Sequence, residues 1–271
     1  MKTILITGAS RGFGKLWAKS FLERGDKVAA TARKLSDLDD LKNEFGDSFT
    51  PIMLDVDDRK AVFEAVAFAN SALGSIDVLI NNAGFGLFGA IEEASETEAR
   101  GQFNTNVFGL LWVTQAILPV MRNQGHGHII QVSSALGLTA IPNLGIYSAS
   151  KFAVEGLSES LAAEVAGFGI KVTLLEPNGF ATDWAGASAV QSAPLEIYDP
   201  IRQAMKDNAK PGDYGDPLAT SPAVLQLIDS EHPPLRLFLG KVAYPWIKSV
   251  YQNRLETWEA WKEVSLAAHG S

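Results

Sequence analysis

Thr7-Gly8-Ala9-Ser10-Arg11-Gly12-Phe13-Gly14 stands directly behind the apolar run Thr3-Ile4-Leu5-Ile6, and a helical pattern through Leu16, Ser20, Phe21 and Arg24 begins behind it. A strand, a glycine turn and a helix in that order open a βαβ unit. Glycines there let the backbone turn sharply and approach a pyrophosphate, whose charge meets the free N–H groups at the helix N-terminus. The spacing is G-x-x-x-G-x-G, and its candidate contacts are Gly8, Ser10, Arg11, Gly12, Phe13 and Gly14. Gly8 to Gly12 also fit the G-x-S-x-G nucleophile elbow of serine hydrolases. Chain order weighs against that reading, because the hydrolase oxyanion hole borrows an N–H from an earlier strand and only seven residues precede Gly8.

Working outward from the turn, short β-branched runs recur at 3–7, 27–31, 49–54, 78–81, 128–132, 171–176 and 235–239. Segments of helical spacing lie between them, such as Val62, Val66 and Leu73. Alternating strands and helices imply right-handed crossovers and a parallel sheet covered on both faces. The expected fold is therefore α/β, a doubly wound Rossmann-type sheet of about seven strands, in a single domain over residues 1–271. The periodicity fails between 182 and 215, just before the last strand. Small residues mixed with Trp184, Leu195, Ile197 and Tyr198 make that stretch a candidate lid over a substrate site. A C-terminal helix is expected at about 244–267, carrying Tyr244, Trp246, Tyr251, Trp258 and Trp261. Its aromatic face either covers the substrate cleft or packs on a second subunit.

Composition narrows the function classes. Asp and Glu number 31 against 23 for Lys and Arg, a net charge of -8, so neither nucleic acid nor an anionic membrane surface is an expected partner. With no cysteine in the chain, thiolate catalysis and sulfur-ligated metal sites are excluded. The four histidines form no ligand pattern, and His126 and His128 read as polar residues at a strand end, so no metal is expected. The apolar N-terminal run is too short for a signal-peptide core, and no uncharged run reaches the ~20 residues of a membrane helix. The expectation is a cytoplasmic protein.

Tyr147-Ser148-Ala149-Ser150-Lys151 opens a helical segment that continues through Val154, Leu157 and Leu161. Positions four apart share a helix face, so the phenol and the ammonium can enter one cleft. A phenol of pKa about 10 is a poor acid or base at neutral pH. A positive charge about 4 Å away is worth about 4 kcal/mol at an effective dielectric near 20, enough to lower that pKa. Ser134 closes the strand beginning at His128, thirteen residues before Tyr147, where a strand end can present a hydroxyl to the same cleft.

Together these motifs resemble the short-chain dehydrogenase/reductase family over the chain from 3 to about 182. The resemblance rests on T-G-x-x-x-G-x-G at 7–14, an acidic residue after the third strand at Asp55, N-N-A-G at 81–84, the asparagine of Asn106-Val107-Phe108-Gly109, Ser134, and Y-x-x-x-K at Tyr147 and Lys151. It implies that Tyr147 gives a proton to a carbonyl oxygen which Ser134 orients, that Lys151 lowers the Tyr147 pKa and binds the nicotinamide ribose, and that Asn106 holds a relay water. It also places Asp55 and Val56 at the adenine, Asn82, Ala83 and Gly84 along the adenosine, and Pro177 and Thr182 at the carboxamide end. The family commonly has Pro-Gly where this chain reads Pro177-Asn178-Gly179; asparagine tolerates left-handed backbone angles, so the turn is expected to persist.

Phe85, Leu87, Phe88, Leu136, Leu144, Phe180 and Trp184 supply an apolar wall suited to a hydrophobic ketone. Ala32 stands where an NAD-selective chain carries an acid, with Arg33 next and Arg11 in the glycine turn, so NADP(H) is the expected cofactor. The expected activity is NADPH-dependent reduction of a hydrophobic ketone or aldehyde by a homodimer or homotetramer. The alternatives are a 3-oxoacyl-carrier-protein reductase and a non-catalytic NADP-binding regulator.

Overall fold

Thr3–Ile6 is buried along its whole length and forms the strand around which the sheet is built. The computed structural model describes residues 1–186, 189–208, 210 and 212–270. Its strands are β1 (Thr3–Ile6), β2 (Lys27–Ala32), β3 (Phe49–Met53), β4 (Val78–Asn81), β5 (Leu87–Phe88), β6 (Gly127–Val132), β7 (Ile170–Pro177), β8 (Val190–Gln191) and β9 (Arg236–Leu239). Seven of them pair in the order β3-β2-β1-β4-β6-β7-β9, every neighbour parallel, while β5 and β8 make a separate two-residue ladder. This is the doubly wound Rossmann-type sheet.

The helices are α1 (Gly12–Glu23), α2 (Asp39–Phe45), α3 (Arg59–Leu73), α4 (Glu96–Phe103), α5 (Leu110–Gln124), α6 (Gly145–Val165), α7 (Asp199–Asn208), α8 (Thr220–Asp229), α9 (Ala243–Ala260) and α10 (Lys262–Ala267). Alternate residues of each strand feed opposite cores, as the period of two requires. Ile4, Ile6, Val28, Ala30, Val78 and Ile80 pack with Trp17 and Phe21 of α1 and Val224 and Ile228 of α8. Leu5, Ala29, Leu79 and Ile129 pack on the other face with Val62 and Val66 of α3, Val113 and Ile117 of α5, and Leu161 of α6. The chain winds outward from β1 to β3 and then crosses back to β4, so the strand order reverses between β1 and β4. A crevice opens at their carboxyl ends, where such sheets take ligands.

Two stretches depart from expectation. Among its described residues the aperiodic segment 182–215 contains short 3-10 turns at Asp183–Ala185 and Glu196–Tyr198, β8, and the ten-residue helix α7. Helix α7 escapes a periodicity reading because the chain is strongly polar there and none of its residues is buried. Positions 187, 188, 209 and 211 of that segment lie outside the described residues. At the C-terminus one helix was expected and two occur, divided at Trp261. Its N–H is shared between Thr257 O and Trp258 O, both at 3.2 Å, which tightens the last turn of α9 and ends it. Among the described residues no helix is long and apolar enough to cross a membrane.

Candidate active site

The glycine turn is packed against the end of β4. Gly8 has φ +69, and a methyl group there would sit 2.8 Å from Ala83 Cα; one on Gly14 would sit 2.3 Å from Gly8 O. Only bare backbone fits at both places. Asn82 braces the turn, its amide donating to Thr7 O at 3.0 Å and Gly8 O at 2.9 Å. The Thr7 hydroxyl accepts from Asn82 N at 3.0 Å and Ala83 N at 3.1 Å. The Asn82 amide is engaged in holding the turn, and Gly84 of the Asn82-Ala83-Gly84 segment expected along the adenosine is exposed to solvent.

No side chain caps the N-terminus of α1, so its first N–H groups are left for a ligand. A Cβ added at Gly12 would meet nothing within 4 Å, which keeps the approach to them open. These features fit a pyrophosphate. Phe13 turns inward, its ring stacked on Trp17 at 4.9 Å, so it can offer only backbone. Ser10 is half-buried in the turn, while Arg11 is exposed with Nη1 3.5 Å from Asp183 Oδ2. Arg33 is exposed just past β2. Exposed Asp55 accepts Asp57 N at 3.1 Å, and Val56 is buried under Gly109, where a methyl would come within 2.7 Å of its Cγ2. Pro177 ends β7, and the Thr182 hydroxyl accepts Trp184 N at 3.4 Å.

Tyr147 lies in the first turn of α6, only 5% exposed. Burial pushes its phenol well above the ordinary tyrosine range, and a hydrogen bond with Ser134 acts against that rise. Lys151, one turn later, is also buried, and its ammonium donates to Val132 O at 2.8 Å. The ammonium is 5.8 Å from the centre of the Tyr147 ring. Burial pushes Lys151 down to about 8, with the Glu155 charge opposing. In this structure desolvation is the larger influence on the phenol, and the Lys151 ammonium is directed at a backbone carbonyl.

Ser134 also accepts Leu136 N at 3.1 Å, which starts the turn beyond β6. Asn106 sits in a π-helical turn, Asn104–Gly109, that joins α4 to α5. Its Oδ1 accepts Phe85 N at 3.1 Å, and its amide donates to Phe85 O at 3.1 Å and Ser150 Oγ at 3.2 Å. Both amide hydrogens are thus spent fixing the loop beside Lys151, so a relay water would be held there through an acceptor oxygen.

Above Tyr147 the walls are apolar. Leu136, Leu144 and Tyr147 form a buried cluster with Phe88, Ile141, Trp184 and Trp246 packed against it. The Trp184 ring stands 4.9 Å from Tyr147 at 61° and 5.3 Å from Phe88. It needs Gly86 beneath it, where a methyl would come within 2.5 Å of the indole. Half-buried Phe85 has its backbone held by Asn106 and Gln102, and Leu87 is buried in β5. Phe180 was expected in this wall. It packs instead edge-on against Phe13 at 5.3 Å, because its backbone bridges to Gly215 and carries the ring toward α1. A cavity of about 290 Å³, lined in part by Ile91, Ile141, Pro142 and Ile201, adjoins the cluster under α7.

Asn178 does not take left-handed angles; among the described residues Asn143 is the only non-glycine with positive φ. The turn after β7 is built otherwise. Asn178 N donates to Leu239 O at 3.0 Å, its amide to Gly179 O at 2.7 Å, and its Oδ1 accepts Val242 N at 3.3 Å. The residue thus ties the ends of β7 and β9 together. His126 pairs with Asp77 at 3.2 Å and buried His128 with Thr173 at 3.0 Å. Among the described residues no group of three potential ligands could hold a metal.

The sequence profile described as short chain dehydrogenase matches residues 2–192. The chain belongs to the short-chain dehydrogenase family. It is an oxidoreductase of that family, and relatives match it along most of its length. A 3-ketodihydrosphingosine reductase of Bacteroides thetaiotaomicron is 41% identical over 241 residues, 88% of this chain and 87% of its own. The solved structure of a short-chain dehydrogenase from Streptomyces avermitilis superposes with a TM-score of 0.91 at 38% identity, over 99% of this chain and 100% of that one. The closed form of a serine dehydrogenase complexed with NADP+ has a TM-score of 0.76 at 30% identity, over 89% of this chain and 95% of its own.

Beside Tyr147 this short-chain dehydrogenase also packs residues that motif reading passed over. Ile141 lies in a loop with no pattern to mark it, while Trp246, from the helix expected either to cover the substrate cleft or to meet a second subunit, packs against the Tyr147 cluster. Gly86 carries a signal only once the tryptophan above it is known.

Proposed function

We propose that this short-chain dehydrogenase is an NADP(H)-dependent carbonyl reductase acting on a hydrophobic ketone or aldehyde, and on the matching secondary alcohol in reverse. The observation that carries the reading is the buried Tyr147 hydroxyl bonded to Ser134 beneath an apolar wall, with Lys151 one turn behind. The NADP+ of the serine dehydrogenase relative, and a relative named as the reductase of a ketone, support the choice of cofactor and substrate class.

When bound, the cofactor supplies hydride from its nicotinamide. The pyrophosphate is met by Gly8, Ser10, Gly12, the backbone of Phe13, Gly14 and the N-terminus of α1. Arg11 and Arg33 meet the 2′-phosphate, with Ala32 presenting no carboxylate against it. Asp55 and Val56 would border the adenine, Asn82, Ala83 and Gly84 the adenosine, and Pro177 and Thr182 the carboxamide. Tyr147 would donate its proton to the substrate oxygen as that oxygen takes on negative charge, and Ser134 would hold the oxygen by hydrogen bond. Both hydroxyls are in place before reaction, so the site has little to reorganise. Lys151 holds the ribose and Asn106 a water beside it. Leu136, Phe88, Trp184 and Phe85 exclude bulk water and position an apolar substrate. Two or four copies associate through the exposed aromatic face of Tyr251, Leu255, Trp258 and Trp261.

A panel of aliphatic, aromatic and polar carbonyls assayed by nicotinamide absorbance with NADPH and NADH tests the proposal. Turnover of apolar ketones with NADPH is the expected result. Turnover confined to charged substrates, or none with any carbonyl, would overturn it.

A further inference from the structure

Lys151 has an ionic neighbourhood that carbonyl reduction does not use. Tyr147, Lys151, Glu155 and Glu159 recur every four residues on α6 and form one stripe along the helix. Glu155 is buried and Glu159 exposed. Glu176 enters from β7, 0% exposed, and neither of its carboxyl oxygens has a hydrogen-bond partner. Arg236 of β9 reaches all three acids: Nε lies 3.0 Å from Glu155 Oε2 and 3.4 Å from Glu176 Oε1, and Nη2 lies 2.7 Å from Glu159 Oε2. The row runs from the phenol of Tyr147, through Lys151 and two buried acids, to the surface.

Charge balance in this row leads to a conclusion. Two cations, Lys151 and Arg236, face three carboxyl groups, and Arg236 is divided among all three. Two adjacent carboxylates out of water cannot both stay ionised on a shared cation, because each raises the cost of charging the other. One proton between them leaves the row neutral. We propose that Glu155 and Glu176 hold one shared proton at neutral pH, and that this acid pair is a positioning element for Lys151, fixing its charge and its place behind Tyr147. The role of Lys151 in that statement rests on the reductase reading above.

Burial pushes Glu176 up to about 8, the Glu155 charge adds to the rise, and Arg236 opposes it. Glu155 is raised by burial as well, against Ser133, Arg236 and Lys151. These are the groups that face the pair: Glu155, Glu159 and Lys151 from α6, Ser133 from the end of β6, Glu176 from β7 and Arg236 from β9. Helix α9 covers this region with Ala243 and Ile247, and its Arg254 donates to Leu138 O at 2.8 Å. Gly137 leaves the space open, since a methyl there would lie 2.7 Å from Ser133 Oγ and 3.0 Å from Glu155 Oε1. When the pair releases its proton to solvent, the carboxylate left behind strengthens the hold of Lys151 on its own proton in the same pH range.

Glu176→Gln keeps the shape of the protonated acid and cannot ionise. Its turnover at about pH 7 should stay within about threefold of wild type, while the alkaline limb of its kcat/KM profile moves to lower pH by about one unit, a tenfold change in proton affinity. Glu155→Gln, which removes the counter-charge of Lys151, should move that limb further. Infrared titration reads the pair without turnover: wild type at neutral pH should show the carbonyl stretch of a protonated carboxylic acid, absent from Glu176→Gln. Wild type without that band would overturn the shared proton, and an unmoved alkaline limb in both folded variants would overturn the link to Lys151. If no carbonyl is reduced, the reductase reading falls and the infrared result alone decides the pair.

Discussion

Arg11 and Arg33 stand on the two turns that flank the crevice, one behind β1 and one behind β2. A charge-assisted hydrogen bond is worth about 1.5–3 kcal/mol, so each arginine can supply roughly 10- to 100-fold of preference for a 2′-phosphate. Arg33→Ala should therefore lower kcat/KM for NADPH by at least tenfold and leave NADH nearly unaffected. An equal loss with both cofactors would remove the assignment. Glu176 gives a second prediction at this scale, this time of stability. Its folded pKa lies near 8, above the ordinary carboxylate value, so the native chain binds the extra proton and the unfolded chain does not. The contribution is fully present below the unfolded value and is lost as pH rises toward 8. Glu176→Gln should remove this loss, so the Tm of the variant relative to wild type should rise between about pH 5 and pH 8. A constant difference across that range would count against a protonated Glu176. At this scale the sequence could single out Tyr147 and Lys151 as candidates by their helical spacing, Ser134 by its place at a strand end, and Asn106 through the family resemblance. It could not identify Glu176 and Arg236, since a lone acid or base on a strand is legible as a buried partner only when the neighbouring strand is known.

Among the elements, α1 and the segment beyond β7 decide how the crevice behaves. Trp17 of α1 is fully buried and donates from Nε1 to Thr220 Oγ1 of α8 at 2.8 Å. Trp17→Ala should cost about 3–5 kcal/mol, read as a lowered denaturation midpoint in urea. The described part of the segment 182–215 is tied by hydrogen bonds to the stretch 86–98. Arg202 of α7 bonds Glu93 Oε1 at 2.6 Å and Leu195 O at 2.6 Å, while the Arg11–Asp183 contact is long and half-exposed at both ends and so is worth little. Binding of cofactor and substrate should slow hydrogen exchange in the described part of this segment, most around Trp184. Unchanged exchange would mean that it is a fixed wall and not a lid. The seven strands of the main sheet were legible almost to the residue because its central strands, such as β1 and β4, are buried on both faces and read as apolar runs, whereas the two-residue β5 and β8 left no such run. Helix α7 was not legible, because its composition is strongly polar and its few apolar positions stay unburied. The Asn178 turn was misread for a related reason: its conformation is set by hydrogen bonds to Leu239 and Val242, some sixty residues away in sequence.

For the whole molecule, a seven-stranded parallel sheet reverses its order between β1 and β4, and every candidate catalytic side chain lies on the carboxyl side of it. Thr7 and Asn82 pin the cofactor turn to that edge, and Ser134 and α6 carry the acid–base groups to the same edge. The account therefore makes Tyr147 a proton donor that contributes no charge to cofactor binding. The direct test compares wild type with Tyr147→Phe, measuring NADPH binding by nicotinamide fluorescence and turnover of an apolar ketone in the same preparation. The account predicts NADPH affinity within about threefold of wild type and turnover lowered by 10²-fold or more, the usual worth of a positioned general acid. Retention of more than about a tenth of wild-type turnover would contradict it.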